Sequence, residues 1–562
     1  MVARSALSWW RAARQAPAYA AVGRSWFVPA ALALLAAVLA LPVLALLVAA
    51  LSWNDASWSV LRSMAATTLP GYAGATLALC VMVGLGVALV GSVTALTVTV
   101  FDFPGRRSAQ WLLLLPLAMP AYVTAYAYTD FLQFSGPAQT WLRETFGLQG
   151  RVLPEVRSLW GAAWVFTFTL YPYVYLLART ALADRAAALL EAARLLGAPL
   201  RRRLLTVALP LARPAIVAGV ALALMETLAD FGVVSYFGVQ TLTAGVFKAW
   251  LVMDDQVAAA QLAWLLLMMV ALLLALERVS RRRLRYSSNR VDRAAAAEAR
   301  PVRLRGAAAL AAWLVCGLPV GLGFGLPVLF MLRPLIEGWD VLPWQSFGGW
   351  ARNSLTLAAM AAALTTLGAL ALAYAQRQRP TPVVRLAVRT VGLGYAVPGA
   401  VLVVGLLLPV GWLQAAAPQA PWASWVTATV LGVLWAYWVR YTAVALQSLE
   451  SGYSRVPSSL DDAARLLGRR GWRLWASVHL PLLHRSVWAA ALLVFVDVMK
   501  ELPATLVLRP FGWDTLAVVA HQMARDERLG EAALPALTLV LAGLVPVLLL
   551  SRALRRGETT AC

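Results

Sequence analysis

Long runs of apolar residues alternate with short basic loops along the chain, and this pattern predicts helices that cross a membrane. A bilayer core of roughly 30 Å needs about 20 apolar residues of helix. Runs near that length or longer recur throughout the sequence. We expect twelve spans, near residues 27–51, 72–101, 109–129, 159–180, 213–236, 257–277, 307–332, 353–376, 387–412, 423–446, 486–507 and 533–551.

The composition supports a membrane protein and argues against other classes. Of the 562 residues, 61% are hydrophobic and 13% are charged, whereas roughly a quarter of a soluble domain is charged. The net charge of +22 comes mostly from Arg in loops between apolar runs, which does not favour a nucleic-acid-binding protein. We therefore expect an all-α polytopic membrane protein with no nucleic-acid partner.

The basic residues also predict which loops face the cytoplasm. They concentrate in the N-terminal segment and in every second loop. Because loops rich in Lys and Arg remain on the cytoplasmic side, both termini are expected in the cytoplasm. The opposite loops carry Trp, Pro and most of the loop carboxylates, as expected of an external, periplasmic face.

The most polar stretch of the chain, residues 278–305, separates six predicted spans from six others. Such a basic segment is typical of a cytoplasmic linker held against anionic lipid. We therefore predict a first half at 1–277, a linker at 278–305 and a second half at 306–562.

The strongest signal in the sequence is an internal repeat. The first copy is LLEAARLLGAPLRRRLLTVALPLARPAI, residues 189–216, and the second is SLDDAARLLGRRGWRLWASVHLPLLHRSV, residues 459–487; residues 189–216 align without a gap with 460–487, at an offset of 271. Each copy follows the fourth predicted span of its half, and the register continues to Asp230 and Glu501. Equal sidedness predicts two parallel six-helix repeats related by a pseudo-twofold axis normal to the membrane.

The residues of each repeated loop predict a short helix at the membrane surface. An acid followed by Ala-Ala suits the positive end of a helix, and a Gly allows the left-handed conformation that ends it. We expect Leu-Pro then to turn the chain back into the membrane. Two such loops would suit a dimeric cytoplasmic partner; the alternative is a pair of ordinary amphipathic interfacial loops.

These segments resemble the EAA loops of binding-protein-dependent ABC importer permeases, in which the loop forms a coupling helix that docks into the ATPase subunit. The second copy departs from the pattern because Asp462 replaces the usual Glu. The resemblance implies ATPase-coupling roles for Glu191, Ala192, Ala193, Gly197, Pro210, Asp462, Ala463, Ala464, Gly468 and Pro481.

Three further stretches resemble the permeases of ferric-iron importers with fused halves: MPAYVTAYAYTDFLQFSGPAQ from Met119, METLADFGVVSYFG from Met225 and KELPATLVLRPFGWDTLA from Lys500. This resemblance implies a bacterial inner-membrane subunit that receives ferric iron from a periplasmic binding protein. Importers of thiamine, phosphonate and polyamines share much of the framework, so these substrates remain alternatives.

The sequence contains no phosphate-binding loop of the form GxxxxGK[ST]. We therefore expect a transport subunit that is not an enzyme and binds no cofactor. Two cytoplasmic ABC ATPase subunits would hold ATP-Mg and hydrolyse the ATP.

Ionisable residues inside predicted spans normally face a bundle interior or a water-filled path. A hard trivalent cation prefers oxygen donors, although we expect no tightly bound metal in this chain. The substrate-path candidates are Glu226, Asp230, Asp497, Glu501, Tyr122 and Tyr126.

Two alternatives apply to these candidates. Asp497 or Glu501 would pair with Lys500 and lock helices together, and the tyrosines would form an interfacial belt. In a self-contained secondary transporter, driven by protons or sodium, the same carboxylates would be the coupling sites. That class does not explain the paired loops.

Overall fold

The computed structural model describes residues 27–51, 55–183, 187–282, 302–378, 380–420 and 424–559. We call residues 27–282 the first half and residues 302–559 the second half. Within these residues, ten helices are long and apolar enough to cross a membrane, and a bent pair makes an eleventh if it counts as one span. The predicted all-α polytopic class is confirmed, and the predicted number of twelve spans is not.

The elements of the first half are α1 (Phe27–Leu51), α2 (Asp55–Ala66), α3 (Leu69–Val100), β1 (Phe101–Asp102), α4 (Arg106–Leu112), α5 (Ala121–Leu132), α6 (Pro137–Phe146), α7 (Leu159–Ala181), α8 (Ala187–Leu195), α9 (Leu200–Ala229), α10 (Gly232–Tyr236), α11 (Leu242–Leu251) and α12 (Gln256–Arg282).

The elements of the second half are β2 (Val302–Arg303), α13 (Ala307–Glu337), α14 (Trp344–Gln378), α15 (Pro382–Gly392), α16 (Gly399–Ala416), α17 (Trp425–Ala428), α18 (Leu431–Tyr453), α19 (Ser458–Leu466), α20 (Gly471–Met499), α21 (Pro503–Leu508), α22 (Leu516–Arg525) and α23 (Leu529–Thr559).

Several helix ends recur at the offset of the sequence repeat. Helix α8 and helix α19 correspond residue for residue, and α9 and α20 begin at equivalent positions. Helices α7 and α18 are both 23 residues long. The short helices α10 and α21 also begin at equivalent positions. The same helices therefore occur in the same order around the repeated loop of each half.

Two predicted spans are broken helices. The span expected at 109–129 is bent by 88°. The bend separates Arg106–Ala118, which contains α4 and a 3-10 turn, from the segment that begins with α5. The span expected at 387–412 divides into α15 and α16 around a second 3-10 turn, Gly394–Ala396. The cause is Pro120 in the first half and Pro398 in the second, because a proline excludes the preceding residue from the helical region. The residues before them are accordingly extended.

Three other predicted spans need smaller corrections. The spans expected at 213–236 and 486–507 end at Ala229 and Met499, and a short helix follows each break. The span expected at 423–446 becomes α18, which carries Arg440 and is not among the ten long apolar helices; residue 423 lies outside the described part of the chain.

The predicted turn at Leu-Pro in each repeated loop is wrong, because α9 and α20 continue through it. A π turn, Leu204–Ala208 or Trp475–His479, ends two residues before Pro210 or Pro481. Proline cannot donate to a carbonyl in the preceding turn, and the wider turn lets the helix pass it without a break.

The first helix of each half lies against the other half. Helix α1 packs on α15 and α16, and helix α13 packs on α3 and α5. The prolines of these helices leave carbonyls without a helical partner. Trp435 Nε1 donates to the Val38 carbonyl at 3.1 Å, four residues before Pro42. Tyr128 Oη donates to the Leu322 carbonyl at 2.7 Å, inside a π turn that precedes Pro327.

The linker predicted at 278–305 lies mostly outside the described residues, and only its two ends are seen. Helix α12 runs through Arg282, and β2 pairs in parallel with β1 of the first half. Residues 283–301 lie outside the described chain.

Candidate functional site

The four candidate carboxylates line one cavity of about 390 Å³, which we call the shared cavity because both halves contribute to it. Glu226 and Asp230 lie at the end of α9, and Asp497 and Glu501 lie at the equivalent positions of α20. The other polar side chains of the lining are Tyr122, Thr169, Tyr173, Tyr395, Arg440, Tyr441 and Lys500. Among the described residues, no group of three or more His, Cys, Asp or Glu is placed to hold a metal ion.

One carboxylate of each half begins the short helix after the break. Asp230 Oδ1 accepts a hydrogen bond from the Val233 amide at 2.8 Å. Glu501 accepts from the amides of Ala504 and Thr505, both at 3.0 Å. Carboxylates at this position satisfy amides that have no partner within the helix. This pair of acids therefore fixes the geometry of the two helix breaks.

Arg440 is a cavity residue that the sequence analysis did not identify. Its Nη1 lies 3.5 Å from Glu501 Oε1, and the two side chains are 11% and 2% exposed. Removing one partner of a buried ion pair of this kind strongly destabilises a protein, because the other charge is left unpaired. The signal was present in the sequence, because a single Arg interrupts an otherwise apolar run and such a residue marks a functional position.

Hydrogen bonds join the halves across the shared cavity. Tyr395 Oη donates to Glu226 Oε1 at 2.6 Å, and Lys500 Nζ donates to the Leu117 carbonyl at 3.0 Å. Tyr122 Oη also donates to the Lys500 carbonyl, at 3.2 Å. Tyr395 and Leu117 lie in the 3-10 turns of the two broken helices. Each half is therefore held at the helix break of the other.

The structure does not bring Tyr126 into the shared cavity. Its ring is buried in contact with Tyr236, and its hydroxyl shares a hydrogen bond of 2.7 Å with His521 Nδ1. The tyrosine pattern in this helix could not separate Tyr122 from Tyr126, because both are one turn apart on the same helical face.

The two repeated loops form the same capped helix. Gly197 and Gly468 adopt φ angles of 77° and 79°. In each loop the Gly amide and the following amide donate back to the last turn, at 2.9 to 3.0 Å, which is the Schellman cap predicted by the Gly. The leucines before each Gly are 81% to 89% exposed, and they are Leu195, Leu196, Leu466 and Leu467.

The acids and prolines of the loops occupy equivalent positions. Glu191 pairs with Arg194 at 3.6 Å, and Asp462 pairs with Arg465 at 3.1 Å. Pro210 lies inside α9 and is half-buried. The two alanines after each acid lie within α8 and α19, and the alanines of α19 are Ala463 and Ala464.

Among the residues that the structure describes, a buried ionic contact from a repeated loop to a neighbouring long helix occurs in the second loop and not in the first. Asp461 accepts from Arg377 Nε of α14 at 2.9 Å, and His479 Nε2 lies 3.3 Å from the same carboxylate. The equivalent first-half positions are apolar, Leu190 and Ala208. The two loops are therefore attached to their halves by different chemistry.

Comparison with known proteins shows which transport proteins the chain resembles. Residues 87–286 match the sequence model of the family described as "Binding-protein-dependent transport system inner membrane component". The chain is 25% identical over 490 residues to the Fe(3+)-transport system permease protein FbpB 2 of Haemophilus influenzae, covering 85% of this chain and 88% of that protein.

Shorter similarities extend to permeases for other substrates. The sulfate transport system permease protein CysT of Escherichia coli is 32% identical over 147 residues, which is 26% of this chain and 50% of that protein. The putative 2-aminoethylphosphonate permease protein PhnU of Salmonella typhimurium is 29% identical over 194 residues, 34% and 67% of the two chains. These relatives are permeases and not enzymes. The chain is therefore a multi-pass membrane protein that is similar, over most of its length, to a permease subunit of a binding-protein-dependent inner-membrane transport system.

Proposed function

We propose that this permease translocates ferric iron delivered by a periplasmic binding protein. The similarity to the Fe(3+)-transport permease covers most of both chains, whereas the sulfate and phosphonate relatives match shorter segments. The observation that carries the proposal is the shared cavity, where carboxylate and phenol oxygens from both halves meet. Oxygen donors of this kind suit a hard trivalent cation.

In this proposal the repeated loops are the coupling helices for two cytoplasmic ATPase subunits. The exposed leucine pair of each loop offers an apolar contact, and the Schellman cap holds it in a fixed position. ATP-Mg is bound by the partner subunits, and this chain binds no cofactor. Both termini and both loops lie in the cytoplasm, as the distribution of basic residues predicts.

Rocking of the two halves would open the shared cavity to each side in turn. The cross-half hydrogen bonds of Glu226 and Lys500 would break in that motion. Ferric iron would pass from the external face through the cavity, and ATP hydrolysis on the partner subunits would reset the halves. The candidate path residues Glu226, Asp230, Asp497, Glu501 and Tyr122 would line this route.

An aminoalkylphosphonate is the second candidate substrate. Arg440 and Lys500 bring positive charge into the shared cavity, which a phosphonate requires and a bare ferric ion does not. A relative named for 2-aminoethylphosphonate also matches a third of the chain. Thiamine and polyamines carry positive charge without an anionic group, so they offer no partner to Arg440 and Lys500.

The test is transport by proteoliposomes that contain the permease with the ATPase subunits and binding protein of the same system. We expect accumulation of ⁵⁵Fe³⁺ that requires ATP and the binding protein, while labelled thiamine stays at background. ATP-dependent uptake of labelled 2-aminoethylphosphonate in place of iron would select the second candidate. Uptake by the permease alone, driven by an ion gradient, would refute both and favour a secondary transporter.

A further inference from the structure

Three of the four carboxylates of the shared cavity are already engaged by the protein. Glu226 accepts from Tyr395, Asp230 caps α10, and Glu501 caps α21 and pairs with Arg440. Asp497 differs from them. In the described chain no hydrogen bond or ion pair reaches its carboxylate, and its side chain is only half-buried. Lys500 and Arg440 act on it only electrostatically, from beyond ion-pair distance, so its oxygens remain open to a positive centre in the cavity.

The cavity also contains positive groups with unused donors. Arg440 is 9% exposed, and its Nε has no hydrogen-bond partner among the described residues. A guanidinium carries five N–H donors and an ammonium carries three. Lys500 Nζ donates to one acceptor, the Leu117 carbonyl. The planar fork of Arg matches an oxyanion in particular.

The unused charges are distributed unequally between the halves. At the repeat positions of Arg440 and Lys500 the first half has the uncharged residues Thr169 and Ala229. Both halves supply carboxylates, but the second half alone supplies cations to the lining. The shared cavity is therefore electrically asymmetric, although the backbone around it is repeated.

We propose that the shared cavity selects a substrate in which a positive centre adjoins an anionic oxygen, with the positive centre at Asp497 and the anionic oxygen at Arg440 and Lys500. This inference rests on the proposed transport function and specifies its substrate class. A ferric ion that carries a bound oxyanion and an aminoalkylphosphonate share this chemistry. A substrate of one sign would place its charge beside a cavity group of the same sign, which disfavours it.

The variants must separate binding from folding. Asp497→Asn removes the free carboxylate and retains its shape. Arg440→Gln alone would leave Glu501 buried without its partner, so the informative variant is the double substitution Arg440→Gln with Glu501→Gln, which leaves no unpaired charge. Asp526→Asn neutralises an exposed carboxylate outside the cavity and is the matched control. Co-purification with the ATPase subunits verifies assembly of each variant.

The experiment measures ATP-dependent uptake by the complete reconstituted transporter. The probes are ⁵⁵Fe³⁺ loaded on the binding protein with or without phosphate, 2-aminoethylphosphonate, sulfate and spermidine. We expect iron uptake only with phosphate, or uptake of the aminophosphonate, and no uptake of sulfate or spermidine. Asp497→Asn and the double variant should each reduce uptake of the transported probe about tenfold or more, since each removes a charged contact, while Asp526→Asn should not.

The outcomes distinguish this inference from the ferric-iron proposal. Uptake of the aminophosphonate that is lost in both cavity variants would retain the inference and reject iron. Iron uptake that is independent of phosphate and unchanged in the double variant would retain iron and reject the inference. Transport of sulfate or spermidine, or uptake within twofold of the wild type in an assembled Asp497→Asn variant, would also overturn it.

Discussion

The hydrogen bond from Tyr395 to Glu226 is predicted to hold the two halves in the conformation described here. It joins a 3-10 turn of the second half to the end of α9 in the first half. When the halves rock during transport, the two residues separate and the bond is lost. Tyr395→Phe removes only the hydroxyl and keeps the ring in the lining of the cavity, so it tests the bond without a large change in packing.

The size of the effect follows from the chemistry of the bond. A hydrogen bond to a charged group contributes about 1.5–3 kcal/mol. Water in the cavity can solvate Glu226 after the substitution, so the lower end of that range applies. A difference of about 1.4 kcal/mol changes a conformational equilibrium about tenfold. We therefore expect Tyr395→Phe to shift the ratio of the two conformations about tenfold away from the described one.

The assay is ATP hydrolysis by the assembled transporter in lipid nanodiscs without binding protein. If hydrolysis follows the population of the alternative conformation, Tyr395→Phe should raise the basal rate several-fold. Tyr437→Phe is the matched control, because its hydroxyl bonds to Thr505 within the second half. An unchanged rate in Tyr395→Phe, or an equal increase in both variants, would show that the bond does not restrain the halves.

Three further predictions concern the loops and the buried ion pairs. Gly197→Val with Gly468→Val places a branched side chain at positive φ, at a cost of at least about 1–2 kcal/mol per site. The double variant should no longer co-purify with the ATPase. Gly147→Val, which is equally strained in another loop, should still co-purify. Glu501→Ala leaves a buried guanidinium unpaired, so the free energy of unfolding should fall by about 3–5 kcal/mol, and an unchanged thermal midpoint in detergent would contradict this. Arg377→Met removes the contact of the second loop to α14 and should weaken ATPase binding in pull-down assays; binding equal to that of the wild type would mean that α19 does not need the contact.

Much of the fold and part of the site could be predicted from local sequence. Apolar runs identified most long helices, and the Gly of each repeated loop predicted its cap, because both depend on residues close in the chain. The breaks at Pro120 and Pro398 were not predicted. A proline inside an apolar run is tolerated in some membrane helices and breaks others, depending on the helices around it.

The contents of the shared cavity were only partly predictable for a similar reason. The carboxylates stood out because acids are rare in apolar runs. Which of them is free depends on partners distant in sequence, such as Tyr395 for Glu226. Arg440 was overlooked, and Tyr126 was grouped with Tyr122 because spacing along a helix does not show what lies opposite each face.

The packing of the first helix of each half against the other half has a consequence for how such a transporter is assembled. Helix α1 packs on α16, and α13 packs on α5. Each half therefore contributes one helix that packs against the other half. If the polypeptide were cut between the halves, these helix contacts would still hold the two chains together. The hydrogen bonds from Trp435 to the Val38 carbonyl and from Tyr128 to the Leu322 carbonyl would also remain. Covalent fusion then ensures that one first half pairs with one second half. The packing of α1 and α13 on the opposite halves keeps the halves together while they move.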